Sequence, residues 1–163
     1  MNVEISHLFV SPGHDFKGRH GKGSLDHGVV SAEEIECVAG SGVRGDRYFD
    51  YKEDFKGQIT FFSVEVYEAV KAQFELPELK PSAFRRNVVV RGVALNELVG
   101  KRFAIGGVVF EGSEEAHPCY WMDEACAEGV EEFLKGKGGL RARVLVGGVL
   151  GKGVGELVVG SEE

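Results

Sequence analysis

Apolar residues recur at alternate positions in short runs along most of the chain, and that period predicts strands over residues 3–10, 32–38, 58–62, 87–91 and 155–159. Turn signals come roughly every ten to fifteen residues, too closely for regular strand–helix–strand units. Two glycine pairs predict hairpin loops. Gly106-Gly107 lies between Phe103-Ala104-Ile105 and Val108-Val109-Phe110, and Gly147-Gly148 between Arg143-Val144-Leu145-Val146 and Val149-Leu150. Helical spacing occurs in two stretches. Over residues 63–76, Ser63 stands where a cap would, Val66, Tyr67, Val70 and Phe74 share one side, and Pro77 ends the run. Over residues 122–135, Asp123 and Glu124 favour the positive N-terminal end, and Met122, Cys126, Val130, Phe133 and Leu134 form an apolar stripe. The pattern predicts a mainly β fold of the α+β class, a barrel or sandwich with two covering helices, in one domain over 1–163.

Composition strengthens this picture. Glycine supplies 24 of 163 residues, about twice its usual share of ~7%, as a fold of many tight turns requires. A chain this long buries roughly two-thirds of its unfolded surface in a single core. The formal charge of -7 argues against nucleic acid as a partner, because such binding draws its affinity from a basic face. No apolar run approaches the ~20 residues needed to span a bilayer, so no membrane is expected. The first residues carry neither the basic segment nor the apolar stretch of a secretory signal, and the expected location is the cytoplasm. Three widely spaced cysteines form neither a disulfide framework nor a paired zinc signature, so reduced thiols are expected.

Cys119 is the candidate for chemistry. It follows His117-Pro118 and precedes Tyr120-Trp121-Met122, and the proline favours a loop between a strand and a helix. A thiol there is either a nucleophile or sulfur ligand, or a half-buried loop residue of no special duty. Cys126 lies on the apolar stripe of the second helix and Cys37 shares the face of Ile35 and Ala39, so both are expected in the core. Arginine is placed suggestively for an acidic protein. Arg44-Gly45-Asp46-Arg47 follows a strand, and Arg85-Arg86-Asn87 stands just before another. Guanidinium forks and open glycine backbone together make an anion cradle. The competing reading pairs Asp46 with Arg47 or with one of Arg85 and Arg86. The long polar segment 11–27 carries His14, His20 and His27 at spacings that match no standard zinc site, and it reads either as a lid over a ligand or as a solvated loop.

The ordered set Gly45-Asp46-Arg47, Gln58-Ile59-Thr60-Phe61-Phe62-Ser63, Arg86-Asn87-Val88, Leu95-Asn96-Glu97-Leu98-Val99-Gly100, Ile105-Gly106-Gly107, Pro118-Cys119 and Gly139-Leu140-Arg141-Ala142-Arg143-Val144-Leu145 resembles the MOSC domain. That domain is the C-terminal module of molybdenum cofactor sulfurases, and it also occurs as small stand-alone proteins. The resemblance is strongest over residues 28–158. It implies a strand-rich barrel with a few short covering helices, and a role in binding molybdenum cofactor (molybdopterin) or handling its sulfur. Two features depart from the family: Tyr48 stands where members often have His after Gly-Asp-Arg, and the sequence holds no aminotransferase-like domain, so pyridoxal phosphate is not implied.

Carried onto this chain, the family's cysteine is Cys119, and three functions follow as expectations. As a sulfur carrier, Cys119 takes a persulfide from a donor protein and passes the sulfur to an anionic pterin cofactor held by Arg44, Gly45, Asp46, Arg47, Arg85, Arg86 and Asn87. As a metal ligand, the same thiolate completes the coordination of molybdenum in a reductase of N-hydroxylated compounds, which needs a redox partner protein. As part of a binding module, the site holds an anionic cofactor without chemistry at sulfur. Nearby positive charge favours the thiolate required by the first two, and His117 is placed to assist proton transfer in either.

Overall fold

The computed structural model describes residues 1–12, 28–118 and 121–160. In chain order the elements are β1 (Asn2–Val10), β2 (Val30–Ala32), β3 (Glu34–Val38), β4 (Gly42–Val43), β5 (Ile59–Ser63), α1 (Val64–Gln73), β6 (Val88–Arg91), β7 (Arg102–Ile105), β8 (Val108–Glu115), α2 (Trp121–Ala125), α3 (Val130–Phe133), β9 (Leu140–Val146), β10 (Gly148–Gly151) and β11 (Gly153–Val159). Strands β11, β7, β8, β9, β5, β6 and β1 are hydrogen-bonded in that order, and β1 returns to β11, closing a seven-stranded barrel that leaves β2 on its outside edge. The pairs are antiparallel except β5 with β6, whose parallel register matches Phe61 to Val88. A parallel pair needs a crossover, and α1 with a 3-10 turn at Pro81–Phe84 supplies it.

Strand β5 shows why this barrel carries helices on one side. Residues 59–62 are all buried. Phe61 points into the barrel, where it meets Phe103 and Phe110 edge-on, while Phe62 points outward and packs under α1, α2 and α3 with Phe84, Val70, Met122, Val130 and Leu134. A strand covered on both faces reads as an unbroken apolar run rather than an alternation. Ser63 caps α1 by accepting a hydrogen bond from the Val66 amide.

The hairpin at Gly106-Gly107 forms as expected: both φ angles are positive, +57° and +85°, and Ile105 pairs with Val108. The expectation at Gly147-Gly148 is corrected. β10 does not fold back on β9; it pairs with β3 in a separate sheet ordered β10-β3-β4. Leu150 is thereby buried with Ile35, Cys37 and Val43 against the barrel core, and that burial decides the pairing. The expected strand 32–38 is likewise two strands, β2 on β1 and β3 on β10, split at Glu33.

The second expected helix is also interrupted. The Asp123 carboxylate accepts hydrogen bonds from the amides of Gly129 and Glu131 and so starts α3 afresh, and Gly129 has φ of +95°. The first helix ends at Gln73, before the predicted 76. Cys37 is 2% exposed, as a core residue should be. Cys126 is half-buried, at the margin of the cluster beneath the helices rather than inside it. Among the described residues no helix is long and apolar enough to cross a membrane.

Candidate functional site: a buried arginine corner

Several polar and charged residues are buried among the described residues, and most belong to one network; Gln58 instead accepts from the Val144 amide on β9. Ser11, Asp46, Gln58, Thr60, Arg85, Arg86 and Asn87 are each at most 8% exposed. They come from four separate segments, and Asn87 ties three of these together. Its Oδ1 accepts from the Thr60 amide and hydroxyl, and its Nδ2 donates to the Phe9 carbonyl at 3.1 Å and to Asp46 Oδ1 at 3.2 Å. Asp46 Oδ1 also accepts from the Ser11 amide at 2.9 Å, and Oδ2 from the Tyr48 amide. The Arg47 amide donates to the Ser11 carbonyl. The Asp46 carboxylate thus holds backbone and Asn87 in place, a role different from the arginine pairing considered above. Buried polar groups satisfied this fully make a stiff scaffold.

Beside that scaffold lie Arg47, Arg85 and Arg86. Arg85 closes the 3-10 turn in the left-handed conformation, with φ of 56° and ψ of 37°. Arg47 Nη2 lies 3.5 Å from the Arg85 carbonyl oxygen. Arg86 Nε donates to the Gly138 carbonyl at 3.2 Å. Gly138 and Gly139 leave room for this approach. A Cβ on Gly138 would stand 2.1 Å from the Ala116 carbonyl oxygen and 3.2 Å from the Pro118 ring, and one on Gly139 would stand 2.3 Å from the Phe61 carbonyl oxygen. Arg86 therefore reaches the backbone that packs on Ala116 and Pro118, and the residue next in sequence is Cys119.

Cys119 itself lies outside the described residues, as do Tyr120 and the segment carrying His14, His20 and His27. Both remaining cysteines are described, and neither suits nucleophilic chemistry. Burial pushes the Cys37 thiol up to about 12, with Glu36 adding to the effect, and burial beside Asp123 pushes Cys126 up to about 11. Among the described residues no three His, Cys, Asp or Glu side chains gather as a metal site. His117 is exposed on the rim, its Nδ1 3.3 Å from the Glu115 carboxylate.

The other expected site residues divide clearly. Gly45, with φ of +87°, turns the chain between β4 and Asp46. Arg44 is exposed and faces another direction, its Nε 2.8 Å from Glu36 on β3 and its guanidinium over the Phe49 ring. Sequence reasoning missed Ser11, whose amide and carbonyl clip the end of β1 to the Asp46-Arg47 turn, and it missed the role of Thr60. Nothing in their local sequence marks either. It also missed an aromatic group on the loop after Arg47, formed by Tyr48, Tyr51 and Phe55 with centroids 4.9 to 5.3 Å apart.

A closed seven-stranded barrel with a few short covering helices and a buried polar corner defines a small β module. The chain belongs to the MOSC domain family, whose model matches residues 27–156, a family associated with molybdenum-cofactor proteins. No curated protein is similar to it in sequence at a significant level. Solved structures share the fold. YUAD protein from Bacillus subtilis superposes with a TM-score of 0.80 at 19% identity, covering 99% of this chain and 97% of its own. YiiM from Geobacillus stearothermophilus gives 0.68 at 16% identity, with 98% and 75% covered, and YiiM from Escherichia coli 0.66 at 20%, with 97% and 70% covered.

Proposed function

We propose that this protein binds a molybdenum cofactor through its arginine corner and handles sulfur through Cys119. The observation that carries this reading is the placement of the Arg47 guanidinium against the Arg85 backbone and of the Arg86 guanidinium against the backbone of Gly138, which packs on Pro118 just before Cys119. The donor set fits the group. A pterin cofactor ends in a phosphate, and planar guanidinium forks hold phosphate oxygens two at a time. Arg47, Arg85 and Arg86 would hold that phosphate. Asp46 and Asn87 keep the arginine backbones in place, and Arg44 takes no part. When bound, the cofactor supplies redox and sulfur chemistry at molybdenum.

The thiol of Cys119 would act as thiolate, a form that positive charge favours. In sulfur transfer it attacks the outer sulfur of a donor protein's persulfide. The donor's sulfur–sulfur bond breaks, the donor cysteine leaves as thiolate, and Cys119 holds the persulfide. Such chemistry needs a reducing compartment, which the cytoplasm provides.

Anaerobic purification with metal analysis, pterin fluorescence and intact-mass measurement tests this. Cofactor that co-purifies, together with 32 mass units added at Cys119, supports the carrier, whereas stoichiometric molybdenum without the added sulfur assigns Cys119 to metal ligation. A Cys119→Ala protein that keeps full cellular function overturns both roles of the thiol and leaves a binding module.

A further inference from the structure

Arg47 is the least enclosed of the three site arginines: it is half-buried, whereas Arg85 and Arg86 are each 8% exposed. A long side chain at such a position has rotamers to lose when an anion arrives, and ordering it beforehand removes that cost. The residue next in sequence lies against it. The Arg47 guanidinium carbon lies 4.7 Å from the centroid of the Tyr48 ring, within cation–π range.

The ring is itself braced. Tyr51 meets it edge-on at 5.3 Å and Phe55 lies 5.3 Å away. Phe55 is 8% exposed and is covered by the Arg141 guanidinium at 5.1 Å. The Tyr48 amide is fixed by Asp46 Oδ2, the same carboxylate that holds Asn87 and Ser11. Tyr51 is tied back by its amide to the Tyr48 carbonyl. On either side of Tyr51, Asp50 and Asp54 take positive φ angles of 53° and 51°, which aspartate tolerates better than most residues and which turn the loop. The loop after Arg47 is shaped to put an aromatic face under that guanidinium.

We propose that Tyr48 is the positioning residue for Arg47: its ring, braced by Tyr51 and Phe55, holds the guanidinium against the Arg85 carbonyl, so that an arriving phosphate meets a formed fork. This rests on the anion-site reading above. The Tyr48 amide serves the loop and its ring face meets Arg47, and substitution separates these because the amide remains in every variant.

Inorganic phosphate is the probe, titrated into the full chain and into Tyr48→Phe and Tyr48→Leu by calorimetry. A nitrogen–proton spectrum records the ring-current shift of the Arg47 Nε–H signal in parallel. Tyr48→Phe keeps the aromatic face and is expected to retain both the shift and the wild-type affinity. Tyr48→Leu fills similar space without the ring and is expected to lose the shift and weaken phosphate binding about fivefold. Wild-type affinity in Tyr48→Leu would overturn the role of Tyr48 and leave the anion site standing. Equal weakening in both variants would assign the effect to the hydroxyl and overturn the stacking role. A wild-type protein blind to phosphate would overturn the anion-site reading, and the role of Tyr48 in binding with it.

Discussion

Arg86 donates its Nε–H to the carbonyl oxygen of Gly138, 3.2 Å away and 52 residues along the chain. One bond thereby joins the segment before β6 to the segment before β9, and it aims a nearly buried guanidinium along the backbone that packs on Pro118. A guanidinium is a planar fork suited to two acceptors at once. Arg86→Lys preserves charge but offers a point ammonium on a flexible stem. The expected result is phosphate affinity reduced by about tenfold, together with a stability loss of about 1–3 kcal/mol from the Gly138 carbonyl left without its donor. Calorimetric titration and urea unfolding on one preparation check the two effects, and unchanged affinity would remove Arg86 from the site.

Gly139 predicts a purely structural failure. Its φ is +113°, a region nearly closed to other residues, and an added Cβ would lie 2.3 Å from the Phe61 carbonyl oxygen. Backbone on β5 cannot retreat, since Phe61 and Phe62 are packed on both faces. Gly139→Ala is expected to destabilise by more than about 3 kcal/mol and to reduce the yield of folded protein. A melting temperature within a few degrees of wild type would mean that β5 and β9 can separate locally.

Cys37 should make stability fall in alkali. Burial raises its thiol from an ordinary 9.0 to about 12, so the unfolded chain ionises first. The folded pKa is the higher one. The contribution is therefore fully present below pH 9 and is lost as pH rises from 9 towards 12, at up to ~1.4 kcal/mol per pH unit. Cys37→Ala removes this slope, at the cost of a small cavity at every pH. Urea unfolding of both proteins at pH 8, 9 and 10 measures it, and parallel curves would show that Cys37 ionises in the folded state.

The barrel was legible because most of its strands bury one face, which leaves an alternation in the sequence, and because Gly106-Gly107 closes a hairpin within its own neighbourhood. Gly147-Gly148 looks the same locally and behaves differently, since the partner of β10 is β3, more than a hundred residues earlier. Local patterns do not encode such pairings. Helix 122–135 failed for a related reason: Asp123 satisfies two amides beyond it and restarts the helix, although its position alone suggested only a favourable charge. At the site, residue types marked Asp46, Arg47, Arg85, Arg86 and Asn87 as polar groups with a purpose. Which of them hold backbone was not readable, because the bonds of Asn87 run to Thr60, Asp46 and Phe9, at separations of 27, 41 and 78 residues. Arg44 and Arg47 look equivalent in sequence and part only in space, where Glu36 claims Arg44.

Arg85 allows function and stability to be separated. Its left-handed backbone, with φ of 56°, is one that glycine adopts freely and arginine does not. Under the anion-site reading the position is kept for its guanidinium rather than for its turn, and strain of this kind is one that functional sites can hold. Arg85→Gly relieves the backbone and deletes the guanidinium. The expected outcome is stability within about 1 kcal/mol of wild type, the relief offsetting lost side-chain contacts, with phosphate and cofactor binding lost. Arg44→Ala is the matched control. It removes an exposed ion pair worth at most about 1 kcal/mol and leaves binding unchanged. If the control loses binding as Arg85→Gly does, charge near the surface suffices and the geometry of the buried corner is not the determinant; if Arg85→Gly unfolds the protein instead, Arg85 belongs to the scaffold with Asp46 and Asn87.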